Sequence, residues 1–210
     1  MDLSPLSEDI RRRFDEKMAA REVALPASRQ AIRSSANAIR AVHRAEWDRA
    51  HELMDEARAA LDRGEQATAE HPDVHNGGFL QDAQKEYAEA RITEALVTGA
   101  TVPGPDELRV EPAPYLNGLA EAVGEARRHV LDLLRHGEVD RGEAILEAMD
   151  EIYFLLASVD YPDAITMNLR RTTDIARSLI EKTRGDLTGA LVQRDLKQAL
   201  ERHMTEGTTG

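Results

Sequence analysis

Apolar positions recur every three or four residues along nearly the whole chain, which is the period of an amphipathic helix. Ile10, Phe14 and Met18 mark one stripe within residues 7–23. Pro26 predicts a break or a fresh helix start, because proline is accepted in a first turn but disrupts a helix interior. Over residues 26–44 the apolar side carries Ile32, Ala36, Ile39 and Val42, and residues 46–69 turn Trp47, Leu53, Met54, Ala57 and Leu61 inward, with Trp47 as a packing anchor. Residues 70–78 form a turn-rich loop with Pro72, Asn76 and paired glycines. Its His71 and His75 lack the helical His-Glu spacing of a zinc site and read as exposed loop histidines.

A helix over residues 79–97 has Phe79, Leu80, Ala83, Tyr87 and Ala90 on its apolar face. The four prolines of residues 99–114 predict a long connecting loop. Residues 115–135 then give a core stripe of Tyr115, Leu116, Leu119, Val123, Ala126, Val130, Leu133 and Leu134, stopped by His136-Gly137. The wide apolar face of residues 138–159, with Ile145, Met149, Ile152, Leu155 and Leu156, predicts the most buried helix of the set. Tyr161-Pro162-Asp163 restarts a helix to about residue 182, Gly185-Asp186 breaks the pattern, and a last helix spans residues 187–203 through Leu191, Leu196 and Leu200. The polar tail 205–210 is expected to be disordered. Together these patterns predict an all-α, single-domain bundle of about six to seven antiparallel helices over residues 1–204.

Composition agrees: aromatics are only 4% of the 210 residues, while 31% are charged. Cysteine is absent, which removes disulfides and thiolate metal sites. Residues 1–13 lack the apolar run of a secretory signal, and no segment approaches the length of a membrane span, so a cytoplasmic location is expected and no membrane partner. The formal charge of −12 argues at first against nucleic acid. Charge is local, however, and Arg29, Arg33, Arg40 and Arg44 fall within an arc of roughly 60° on one helix. That stripe is either a phosphate-tracking surface or a solvated helix face.

The chemistry lies in two helices. Glu86 and Glu89 share an arc of the first with Asp82 and Thr93; Glu121 and Glu125, four apart, share the wet face of the second. Packed side by side, these helices concentrate four carboxylates, which raise one another's pKa unless hard divalent cations neutralise them. Metal-dependent phosphodiester hydrolysis uses such a cluster. Gly118 and Gly124 interrupt the second helix and predict close approach of another segment. The plain alternative is two polar helix faces. A di-iron centre is disfavoured because neither Glu86 nor Glu125 begins a Glu-x-x-His pair. Internal repeats, phosphate-cradling glycine loops, nucleophile elbows and sustained heptads are missing.

Glu86-Tyr87-Ala88-Glu89-Ala90 followed by Tyr115-Leu116-Asn117-Gly118-Leu119-Ala120-Glu121-Ala122-Val123-Gly124-Glu125 resembles the translin and TRAX (translin-associated factor X) family of archaeal type. Tyr161-Pro162-Asp163-Ala164-Ile165, Leu169-Arg170-Arg171-Thr172-Thr173-Asp174 and Arg184-Gly185-Asp186-Leu187 resemble its C-terminal block, and residues 28–44 its basic N-terminal helix. The likeness covers residues 7–203. It implies a translin-like helical fold and a homo-oligomer, an octamer enclosing its active residues. The partner it implies is single-stranded RNA, or single-stranded DNA. It further implies an endoribonuclease closer to the TRAX nuclease subunit than to translin, in which Glu86, Glu89, Glu121 and Glu125 are catalytic and hold Mg²⁺ or Mn²⁺, and Arg29, Arg33, Arg40 and Arg44 bind RNA. The alternative within the family is a nucleic-acid-binding protein without nuclease activity. Two positions depart from the family pattern: Glu121 stands where the family has Asp, and Ala83 stands where it has an acid, with Asp82 beside it as a partial substitute.

Overall fold

The computed structural model describes residues 2–206, and among these every regular element is an α-helix. The long elements are α1 (Ser4–His43), α2 (Trp47–Thr68), α4 (Phe79–Thr98), α6 (Pro112–Arg135), α7 (Val139–Ser158) and α9 (Leu169–Glu206); single turns α3 (Pro72–His75), α5 (Pro105–Leu108) and α8 (Asp163–Thr166) sit in the connections. α1 packs along α2 and α4, α4 continues onto α6, and α6 packs on α7 and α9. The bundle is thus three adjoining layers with α4 and α6 in the middle. None of the described helices is long and apolar enough to cross a membrane. Residues 207–210, most of the expected tail, lie outside the described residues.

Two predicted breaks are absent and one unpredicted break is present. Pro26 does not break the first helix: α1 runs through it for 40 residues, about 60 Å. Pro26 and Glu22 are both exposed, so the carbonyl that loses its amide partner lies on the open side of the helix. The opposite face, a seam of Ala20, Ala24, Ala27, Ser28 and Ala31, is buried against the neighbouring helices and holds the backbone helical on both sides. Gly185 likewise lies inside α9. Arg127 of α6 bonds Thr183 at 3.0 Å and Asp186 at 2.8 Å, fastening α9 on either side of the glycine, with Leu187 buried just beyond. The break falls instead at Met167 and Asn168, whose φ of 55° and 62° separate α8 from α9. Asn117 of α6 spans that kink, donating to the Thr166 carbonyl at 2.9 Å and accepting from the Thr172 hydroxyl at 2.9 Å.

Two burial expectations are also corrected. Trp47 begins α2 and is 37% exposed, so Leu53, Met54, Ala57 and Leu61 anchor that helix without it. α7 buries Ile145, Leu146, Met149, Ile152 and Leu156, but Phe154 and Leu155 face outward, because only α6 and α9 cover it extensively. The proline-rich connection is packed: buried Arg58 stacks 5.7 Å from the Tyr87 ring centroid, pairs with Glu65 and donates to the Arg109 carbonyl, while the Tyr115 hydroxyl donates to Pro103. His75 is a strut as well, bonded through Nδ1 to the Thr68 hydroxyl at 2.9 Å.

Candidate active site

Contact between α4 and α6 is set at Gly118. A β-carbon there would stand 2.6 Å from the Lys85 carbonyl oxygen and 3.0 Å from the Glu89 nitrogen, so only glycine lets the two backbones approach this closely. Gly124 plays no such part; its nearest neighbour is Leu179 at an ordinary 3.7 Å. With α4 and α6 pressed together, Glu86, Glu89 and Glu121 bring carboxylate oxygens within 4.8 Å of one another, the single such grouping of metal-ligating side chains among the described residues. Neighbouring oxygens around an octahedral Mg²⁺ are about 3 Å apart and opposed ones about 4.2 Å, so the three side chains would have to turn further inward to share one ion.

Glu125, the fourth predicted carboxylate, stands outside that trio. Its Oε2 lies 2.5 Å from Nε2 of His43 at the end of α1, and 3.8 Å from Arg128. A carboxylate only accepts, so Nε2 carries the hydrogen. Asp82 is exposed and also outside the cluster, and Ala83 is fully buried in the core, so the acid that the family pattern places there has no substitute.

Electrostatics follow from this crowding. Burial, then the charges of Glu86, Glu121 and Glu125, push Glu89 up to about 8. Lys85 lies within the cluster, 2.8 Å from Glu121 and 3.4 Å from Glu86. Burial works against its charge, but the two carboxylates outweigh that effect and hold its pKa above the usual lysine value. Glu125 moves the other way, held below the usual carboxylate range by the His43 hydrogen bond. A trio that protonates one member and draws in an ammonium is short of positive charge, which is the donor set a divalent cation fits. Glu89 and Glu121 of the trio line a groove of about 330 Å³, whose far wall is Thr172, Ile175 and Leu179 of α9.

Arg29, Arg33, Arg40 and Arg44 are all exposed along α1. Their arc faces away from the alanine seam that α1 buries. Arg40 bonds Asn37 and Arg44 bonds Glu46, while Arg29 and Arg33 have no ion pair among the described residues. His43 lies about 60° around the helix from Arg40, one turn on, so the Arg40 end of the stripe is the one nearer the carboxylates, while Arg33 and Arg29 lie about 15 and 21 Å back along the axis. The sequence reading does not single out two residues of the site, His43 and Lys85. His43 continues the line of Ile32, Ala36 and Ile39, and a histidine on a half-buried helix side was a usable signal; Lys85, beside Glu86, becomes visible only once α6 is in place.

Two helices joined at a glycine, with acids converging from both inside an all-helical bundle, define a helical carboxylate-cluster protein. Solved structures of C3PO from Archaeoglobus have the same fold: one at TM-score 0.82 and 34% identity, and one described as a complex with duplex RNA at 0.81 and 33%, each covering 89% of this chain and 97% of its own. The chain therefore belongs to the translin/TRAX family, from which C3PO is built. Apo C3PO from Nematostella shares the fold at TM-score 0.81 with 17% identity, over 90% of this chain and all of its own. An uncharacterized protein of Methanocaldococcus jannaschii is 29% identical over 187 residues, 89% of this chain and 83% of that protein. No protein-family model matches the chain.

Proposed function

We propose that this chain is a cytoplasmic endoribonuclease that cuts single-stranded RNA with Mg²⁺ or Mn²⁺, as a TRAX-type subunit assembled into a homo-octamer. The observation that carries the reading is the trio of Glu86, Glu89 and Glu121 gathered at the Gly118 crossing beside a groove. A cation held there supplies charge neutralisation at the scissile phosphate and a more acidic bound water. The chain's residues do the rest. Glu86, Glu89 and Glu121 hold the ion, Lys85 gives up its place among the carboxylates, and Arg29 and Arg33 meet the RNA backbone with unpaired guanidinium groups. RNA binding without cleavage is the second reading, favoured by the missing acid at Ala83 and by the duplex RNA bound to the Archaeoglobus relative.

Cleavage of a labelled single-stranded RNA, with Mg²⁺ and with chelator, tests the proposal. Cutting that needs metal and falls at least 100-fold in Glu86→Ala, with RNA affinity kept, is the expected result; binding with no cutting under any metal leaves only the second reading. An Arg29→Ala, Arg33→Ala variant should reduce the slope of log affinity against log salt by about 1.4, since each phosphate contact on a single strand contributes about 0.7. An unchanged slope returns the stripe to a solvated face.

A further inference from the structure

Building on the nuclease reading, we propose that His43 is a positioning residue that holds Glu125 outside the metal trio, leaving Glu86, Glu89 and Glu121 to bind the cation and Glu125 to orient the attacking water. Glu121 and Glu125 are one turn apart on α6 and, by helix geometry alone, point the same way. They nevertheless part company: Glu121 joins α4's glutamates, and Glu125 is drawn to His43 at 2.5 Å.

The imidazole is well suited to fix it there. Its side chain is only 3% exposed, and it enters from the last turn of α1, a different helix from those that carry the four acids. Nε2–H meets Glu125, and the ring's other nitrogen, Nδ1, is buried with no hydrogen-bond partner. A buried polar atom without a partner is costly, so the ring is placed for the sake of its other nitrogen and not for its own packing. Glu125 meanwhile stays within electrostatic reach of the trio, because its charge is among those that act on Glu89. With one oxygen occupied by His43, its other oxygen is the one left to accept a hydrogen bond from water.

The test uses the full chain in five forms: wild type, His43→Leu, His43→Gln, Glu125→Gln and Glu86→Gln. Mn²⁺ affinity is read by calorimetry, RNA affinity by fluorescence anisotropy, and cutting by single-turnover kinetics in Mg²⁺. Glu86→Gln should weaken Mn²⁺ binding at least tenfold, while Glu125→Gln stays within about twofold of wild type and His43→Leu, which frees Glu125 to turn toward the trio, binds Mn²⁺ no more weakly than wild type. His43→Leu should cut about 100-fold more slowly with RNA affinity unchanged, the upper range for residues that act through another group. His43→Gln, whose amide reaches Glu125 from the place of the lost Nε2, should recover to within about tenfold; rescue by a donor separates positioning from packing. If His43→Leu does not fold, His43→Asn, too short to reach Glu125, replaces it. The proposal fails if Glu125→Gln loses metal as Glu86→Gln does, if His43→Leu cuts at the wild-type rate, or if the Gln variant is no better than Leu. A wild type that does not cut sinks the nuclease reading instead, and the Mn²⁺ titrations still decide whether Glu125 lies outside the metal set.

Discussion

Glu89 carries the site's most informative charge. Its folded pKa of about 8 stands above the ordinary 4.5, so the folded protein binds one more proton than the unfolded chain between those values, and this residue's contribution to stability declines as pH rises from 4.5 to 8 before levelling off. Glu89→Gln removes that dependence. Its melting temperature should exceed the wild type's by several degrees at pH 8, with the difference shrinking toward pH 5, in metal-free buffer followed by circular dichroism. Mn²⁺ needs the ionised carboxylate, so its affinity should rise with pH up to about 8, with roughly one proton released per ion at neutral pH in calorimetry across buffers of different ionisation enthalpy. Glu125 contributes with the opposite sign: its depressed pKa adds stability that is lost only as pH falls below the usual carboxylate range.

Among the elements, the crossing of α4 on α6 decides whether a site exists. Replacing Gly118 by Ala should add up to about 1 kcal/mol of helix propensity. Its methyl, however, would meet the Lys85 backbone oxygen at 2.6 Å, where nothing flexible can yield. We expect a net loss of about 1–3 kcal/mol in urea unfolding, typical of overpacking, together with a clear loss of Mn²⁺ affinity as Glu121 draws away from Glu86 and Glu89. A stabilised variant that binds metal normally would show that the helices need no such closeness. Gly124→Ala, with only an ordinary contact to Leu179, serves as the control and should be neutral or stabilising. Gly118 and Gly124 look alike in sequence, since each is a glycine interrupting a helical pattern; only the path of α4 distinguishes them.

At the scale of the whole molecule, α1 and α9 overrun the helices that cover them. Phe14 and Met18 near one end, and Val192, Leu196 and Leu200 near the other, are more than half exposed. Exposed apolar stripes on this scale point to association, which agrees with the proposed octamer. Phe14→Asp combined with Leu196→Asp should lower the mass measured by light scattering while leaving the helical circular-dichroism signal intact. An undiminished mass places the contacts elsewhere on the surface, with the outward Phe154 and Tyr161 next to be tried.

The apolar period by itself determined the helical class, the spans of α2, α4 and α6 to within a few residues, and the pairing of Glu86 with Glu89 and of Glu121 with Glu125, because all of these depend on neighbours three or four residues apart. It misjudged Pro26 and Gly185. Local propensity disfavours both positions, and they remain helical through contacts with residues far along the chain, the alanine seam of α1 and the Arg127 fastening of α9. Tertiary structure alone divided the four acids. Periodicity gives every carboxylate on a helix face an equal standing, whereas Gly118 brings three of them together and His43, 82 residues before Glu125, draws the fourth aside. A helix records in its sequence which way its side chains face; which neighbour meets them is decided by the packing of segments that the sequence keeps apart.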